Sequence, residues 1–420
     1  MGDYSEKREW QPVEEREKDL IEKLKGITKH AYEKAPAIKK RFDEAGFHPS
    51  QIKSLEDLEK IPITTRDEYI KIQRENPPFG GFLTVPYETL KRIYVHPGPQ
   101  YETLADTDIE HAQKVLWKVG ARRGDIVINA VTYHIVPAGL LVDDILTSMG
   151  VTVIPTGFGN TDLQIQIMHD LKATIFVGFP LFFMTIIKRA EELGYDLKRD
   201  FHIRRALALG SSPVRRSLEE DYNIDTREVY AYLPVGIPAC ECDEKSGMHI
   251  EEDFIIEIVD PATGRQVPCG ETGELVVTTT FNNILPRIRI GSGDLSSVTD
   301  KPCPCGRTSY RIPKILGRVG EGVKIRGMFV HPIEVEDVVS KIPGISRFHI
   351  ICTHENMKDL ITAKLELNSE DIDKDAITES FMTDFQSRCR LRVNKVEFVP
   401  KGTIPDDAKK VEDLRKEVIL

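Results

Sequence analysis

The reading turns on residues 285–332, LPRIRIGSGDLSSVTDKPCPCGRTSYRIPKILGRVGEGVKIRGMFVHP. A strand-like apolar run ends in Gly-Ser-Gly-Asp, and a Cys-Pro-Cys-Gly knuckle, a Gly-Arg pair and a lysine before Arg-Gly follow. Asp294 offers two acceptor oxygens, which suit a ribose diol. Arg318 offers a planar fork, which suits phosphate or ribose. Gly317, Gly320, Gly322 and Gly327 supply the backbone freedom that a hinge needs. A cap on a turn for Asp294 and a solvated surface charge for Arg318 fit the spacing equally well.

Working outward, the composition sets bounds. A chain of 420 residues is too long for one simple core, so two or three units are expected. Hydrophobic content of 40% with 30% charged residues is that of a soluble globular protein. A net charge of −10 argues against nucleic-acid binding, which needs a basic footprint. No apolar run approaches the span of a bilayer, and the charged start MGDYSEKREWQPVEEREKD lacks the apolar centre of a signal peptide. The expectation is a cytoplasmic protein with no membrane and no nucleic acid among its partners. Seven cysteines make no disulfide framework, and four of them cluster at 240, 242, 303 and 305, which favours metal over disulfide.

Leu20, Ile21, Leu24, Ile27 and Ala31 fall at helical spacing. In SLEDLEKIPITTRDEY, Ser54 is expected to cap a helix with Asp57 in its first turn and Pro62 beyond its end. From about 90 to 230, strand-like runs such as DIVINAV, GVTVIP, TIFVGF and RALALGSS alternate with helical stretches, which implies a mainly parallel sheet covered on both faces. Ligands of such sheets sit beyond the carboxyl ends of the strands. From 249 to 300 the pattern turns to antiparallel hairpins, with turns at 261–264 and 270–273. Residues 322–420 read as a small α+β unit with helices near 332–342 and 371–388.

A metal site is one chemical candidate. Cys242 and His249 lie seven apart, and Cys303 and Cys305 two apart. Three thiolates and an imidazole suit tetrahedral zinc in a structural site with no open position. Scattered buried thiols beside a surface histidine remain the alternative, and Cys240 competes with Cys242 as a ligand.

The decisive stretch resembles the junction between the large and small domains of adenylate-forming enzymes, in the version found in phenylacetate–coenzyme A ligases. Asp294 matches the ribose aspartate, Arg318 the motif arginine, and Lys324 and Gly327 the residues after the hinge. Glu321 stands for the hinge acid. The pieces HAYEKAPAIKKRFDEAG and SLEDLEKIPITTRDEY resemble the N-terminal region of the same family, and the resemblance runs from about residue 20 to the end. It implies an α/β fold with a large adenylation domain of several subdomains and helix-flanked sheets over 1–318. That domain includes a β-rich, zinc-bearing part at 240–310. A hinge at 319–321 and a small α+β lid at 322–420 complete the expected organisation.

The resemblance also assigns roles. Tyr230 is expected to stack on adenine, and Gly210, Ser211, Ser212 and Pro213 to line it. Lys409 matches the lysine that serves adenylation, with Lys410 next in line. A point charge there neutralises oxygens on which negative charge develops. Tyr133 and His134, and Gly157 and Phe158, follow two strands where the family lines its acid pocket. The family's Glu-Cys followed by Gly-x-His favours Cys242 over Cys240 as metal ligand. Two positions depart from the pattern. Pro234 replaces the glutamate that binds magnesium, and VHPGPQYE at 95–102 replaces a phosphate loop rich in Ser, Thr and Gly. Its two prolines remove two N–H donors, and Glu102 is expected to repel phosphate unless it holds a metal.

The implied function is two-step activation of an aryl or arylacetic acid. ATP gives an acyl-adenylate, and coenzyme A then takes the acyl group. The expected cofactors are ATP/AMP, Mg2+, coenzyme A and structural Zn2+, and relatives suggest a homodimer. The rival reading, motivated by the two departures, is a degenerate paralogue that binds a nucleotide or acyl group as a scaffold.

Overall fold

A computed structural model describes residues 7–96, 100–209, 214–232, 234–320, 322–325, 328–355, 358–369, 372–389, 391–405 and 408–415. The expected adenine-lining residues Gly210, Ser211, Ser212 and Pro213, the hinge acid Glu321, and residues 97–99 lie outside them. Contacts divide the chain into two units, Met1–Ser292 with Ser297–Ile315, and Gly293–Ser296 with Leu316–Leu420.

The first unit opens with α1 (Val13–Lys34), α2 (Pro36–Glu44) and α3 (Arg66–Glu75). Leu20, Leu24, Ile27 and Ala31 are buried, as their helical spacing requires. They pack against Phe42, Phe47, Leu285 and Ile288. The helix expected at Ser54 is a short 3-10 turn over Glu56–Lys60, and its capping runs the other way. The Asp57 carboxylate accepts from the Lys53 and Ser54 backbone N–H groups at 2.7 and 3.0 Å. An anionic acceptor serves two donors, which one hydroxyl would not.

The strands β1 (Tyr94–His96) and β2 (Gln100–Glu102) form a hairpin. Then β3 (Ile126–Asn129), β4 (Thr152–Ile154), β5 (Ile175–Gly178) and β6 (Arg205–Leu209) alternate with α4 (Asp106–Lys118), α5 (Ala138–Ser148), α6 (Thr161–Asp170), α7 (Pro180–Glu192) and α8 (Leu197–Asp200). After α9 (Arg215–Glu220) come β7 (Asp225–Tyr232), β8 (Gly236–Glu241), β9 (Met248–Ile250), β10 (Phe254–Val259), β11 (Gly273–Thr279), β12 (Ile290–Ser296) and β13 (Arg311–Ile312). Among the described residues, eight strands form one sheet in the order β13-β9-β8-β7-β6-β5-β3-β4. The run from β7 to β4 is parallel, whereas β8, β9 and β13 add on antiparallel.

Successive residues of the central strands face opposite ways, as the two-residue period of a strand demands. Val127, Val177 and Leu207 join Leu116 and Ile145 under α4 and α5. Ile128, Phe176 and Ala206 join Ile165, Phe183 and Ile187 under α6 and α7. The connection from β3 leads to β4 on one side, and that from β5 leads to β6 on the other. The carboxyl ends of β3 and β5 therefore flank the crevice where such sheets take ligands. The antiparallel pair β10 and β11 runs in register from Phe254 opposite Thr279 to Val259 opposite Glu274.

In the second unit, the end of β12 pairs with β14 (Gly317–Arg318), setting Asp294 opposite Arg318. The hairpin β15 (Val323–Ile325) and β16 (Met328–Val330) leads to α10 (Pro332–Val339). Then β17 (Ile345–Glu355), β18 (Lys358–Leu367), α11 (Lys374–Cys389), β19 (Lys395–Val399) and β20 (Val411–Asp413) give a sheet in the order β19-β18-β17-β20. Phe381 and Phe385 of α11 are fully buried on it with Ile350, Ile361 and Leu365. Among the described residues, no helix is long and apolar enough to cross a membrane.

Candidate functional site

At the antiparallel edge of the large sheet, Cys242 follows β8, His249 sits in β9, and Cys303 and Cys305 occupy the loop that leads to β13. The structure brings these four together, with their ligand atoms all within 4.8 Å of one another. Cys242 Sγ lies 3.7 Å from Cys303 Sγ, and Cys305 Sγ lies 3.4 Å from His249 Nε2. A tetrahedral zinc with ordinary bond lengths sets sulfurs about 3.8 Å apart and sulfur and nitrogen about 3.5 Å apart. The set therefore fits the ion. Cys240 does not join it, because its thiol donates to Glu251 Oε1 at 3.3 Å. The Gly306 N–H donates to Cys303 O at 2.9 Å. Gly306 has φ +81°, which a residue without Cβ adopts freely.

The surroundings support the same chemistry. His249 Nδ1 is 3.1 Å from Ser309 Oγ, which fixes the ring so that Nε2 faces the sulfurs. Burial, then the nearby Arg307 and Arg311, push the imidazole down to about 3, so it is neutral and free to ligate. Burial pushes the Cys242 thiol up to about 12, a preference that a bound cation reverses. The N-terminal turn Lys7–Trp10 seals the knuckle. Trp10 Nε1 donates to Cys305 O at 3.4 Å, the Thr308 N–H donates to Glu9 O at 3.0 Å, and Arg307 pairs with Glu9.

Glu102 has a different role from the one its sequence suggests. It is fully buried and ion-paired with Arg287, and its Oε1 also accepts from the Thr103 N–H at 3.1 Å. Arg287 also donates to the carbonyls of Pro234 and Leu285. The carboxylate thus neutralises a buried guanidinium. Tyr230, expected to stack on adenine, is 4% exposed and packs among Ala239, Met248, Ile258, Leu275 and Ile312.

At the crevice between β3 and β5, the buried Asn129 organises the loops. Its Nδ2 donates to Tyr133 Oη at 2.7 Å and to Gly139 O at 3.0 Å, and its carbonyl accepts from the Gly157 N–H at 3.0 Å. Tyr133 Oη donates to Asp143 at 3.3 Å, and burial with that carboxylate raises the phenol's pKa. A Cβ on Gly157 would lie 3.9 Å from the Tyr133 ring, so the two sit side by side. His134 and Phe158 are exposed. No sequence signal pointed to Asn129, a polar residue at the end of an apolar strand.

In the second unit, Arg318 Nε is 3.1 Å from Asp294 Oδ1, with the arginine exposed and the carboxylate partly buried. A cavity of about 470 Å³ is lined by Gly317, Gly320, Ile333, Glu336, Lys409 and Lys410, among others. Lys409 is exposed, whereas Lys410 pairs with Glu336.

Comparison with known proteins places the chain. Residues 327–415 match the family model of the AMP-binding enzyme C-terminal domain. The phenylacetate–coenzyme A ligase of Aromatoleum evansii is 33% identical over 86% of this chain and 84% of its own. The enzyme of the same name from Thermus thermophilus is 31% identical over 83% and 80%. Among solved structures, an open conformation of 2-hydroxyisobutyryl-CoA ligase in complex with 2-HIB-AMP and CoA superposes with a TM-score of 0.84. It is 26% identical and covers 97% of this chain and 93% of that one. By fold and by sequence over most of its length, the chain belongs to the phenylacetate–coenzyme A ligase family of adenylate-forming enzymes.

Proposed function

We propose that this protein activates an aryl or arylacetic acid with ATP and passes the acyl group to coenzyme A. The observation that carries the reading is in the second unit. Asp294 and Arg318 meet at 3.1 Å on paired strands, and Lys409 lines a cavity with the glycines on either side of Arg318. Asp294 would accept from the ribose hydroxyls, Arg318 would meet ribose or phosphate, and Lys409 would neutralise charge that develops as the acid attacks the α-phosphate. Residues 319–321 would act as the hinge that withdraws Lys409 for the thioester step. Tyr133, His134, Gly157 and Phe158 would line the acid.

Zinc would be held by Cys242, His249, Cys303 and Cys305 as a closed structural site. Magnesium would arrive with the phosphates of ATP, since Pro234 offers it no side chain. The burial of Glu102 against Arg287 weakens the scaffold reading, because the repulsion expected from that carboxylate falls away.

The test is calorimetric titration of AMP and of ATP–magnesium into the protein, followed by pyrophosphate release with phenylacetate and coenzyme A. Binding of both nucleotides with acid-dependent release supports the ligase. Binding of AMP alone favours the scaffold, and binding of neither removes the nucleotide site.

A further inference from the structure

The loop that carries Lys409 is tied to the small sheet through one buried carboxylate. Glu366 lies in β18 and is 1% exposed. It accepts from the Ile404 N–H at 2.6 Å through Oε1. The N–H groups of Ile404, then of Gly402 and Thr403, hold its carboxyl below the ordinary carboxylate range. An anionic acceptor binds such donors more strongly than a neutral one and fixes the chain that supplies them.

Arg347 of β17 is the register partner of Glu366 across the sheet, and it donates to the Ile404 carbonyl at 2.9 Å. Two neighbouring strands thus take both backbone groups of one residue. Lys409 follows five positions later. Just beyond it, the Lys410 carbonyl accepts from the Ile350 N–H at 2.9 Å, again on β17. The lysine stands between two anchors on the same sheet.

Packing alone does not hold this loop. Among the described residues at 401–405 and 408–410, Ile404 alone is buried. A cavity of about 420 Å³ is lined by Arg347, Phe348, Ile404, Pro405, Ala408 and Lys410, so open space lies beside the segment. The polar contacts at Ile404 therefore set its place. Precision matters here, because a reacting group displaced by about 1 Å can lose on the order of 10²-fold in rate.

We propose that Glu366 is a positioning residue for adenylation: by fixing the backbone at Ile404 it sets where Lys409 stands. The task of Lys409 rests on the ligase reading above, whereas the hold on the loop does not depend on turnover.

The test separates the two half-reactions in the full chain. Glu366→Ala should slow acyl-adenylate formation from ATP and phenylacetate by about 10²-fold. Transfer from supplied phenylacetyl-adenylate to coenzyme A, from which Lys409 is withdrawn, should be unchanged. Glu366→Gln keeps an acceptor oxygen and should recover part of the loss. Equal falls in both half-reactions, or no fall in the first, overturn the proposal. Should Glu366→Ala fail to fold, Arg347→Met, which frees the Ile404 carbonyl, is judged by the same split. Amide hydrogen exchange over residues 400–410 is read on the same samples. Faster exchange there in the variant supports the hold, and unchanged exchange overturns it. A wild type that forms no adenylate removes the ligase reading, and exchange alone then decides this inference.

Discussion

In the first unit, Arg287 meets Glu102, Arg289 meets Glu257, and Lys118 meets Glu251 and Glu252, with both partners of each pair buried. In the second unit, Arg388–Asp337 and Lys410–Glu336 lie open to water, as Lys409 does. Buried pairs fix a geometry and cost much when broken, because the remaining charge is stranded. Exposed charges hold little in place and are free to meet a ligand. The contrast is between buried pairs that set shape in the first unit and exposed charges that hold little of the second in place.

The largest effect is expected at Glu102. Glu102→Ala leaves Arg287 unpaired and should cost about 3–5 kcal/mol in urea denaturation. A loss under about 1 kcal/mol would mean that water reaches the guanidinium, and the contrast would fail there. The same residue predicts a pH effect. Burial, opposed by Arg287, raises its carboxyl from the ordinary 4.5 to about 7. The folded value lies above the unfolded one, so this stabilisation is full below about pH 4.5 and is lost as the pH climbs through about 7. Glu102→Gln should therefore reduce the fall in stability between pH 5 and pH 7.5.

Lys409→Ala should lower acyl-adenylate formation by about 10²–10³-fold, the scale of one lost electrostatic contact, with Tm unchanged. A matching fall in Tm would make Lys409 structural and erase the contrast from the other side. Cys305→Ser should lose bound zinc and lower Tm by several degrees, read by metal analysis and calorimetry on the same sample. Retained metal would exclude Cys305 as a ligand. Lys410→Met should change stability by less than about 1 kcal/mol, as for an exposed pair. A larger loss would place that pair among the first unit's kind.

Much of this was legible in the sequence. The family and the fold could be read from the long match, and the parallel strands from runs such as DIVINAV and TIFVGF. The cysteine cluster was legible because thiols and an imidazole are rarely grouped without reason. Other features were hidden for physical reasons. Glu102 and Arg287 lie 185 residues apart, and each alone reads as a solvated charge. Tyr230 taken alone reads as a core ring, and only the resemblance gives it an adenine to stack on. The crevice depends on strand order, which no local pattern encodes. The strand Val411–Asp413 is too short to show a period.

The docking of Lys7–Trp10 on the cysteine knuckle has a consequence for how the chain is made. Glu9 bonds to Thr308, 299 residues further on. A ribosome adding about 5–20 residues per second needs on the order of 15–60 s to cover that distance. Throughout that interval Lys7–Trp10 lacks its contacts to the knuckle, with Asp19 and Arg16 the nearby groups that can meet Arg8 and the Glu9 carbonyl. Chaperones and proteases therefore meet this segment undocked, and the knuckle, once it emerges, closes the access they had.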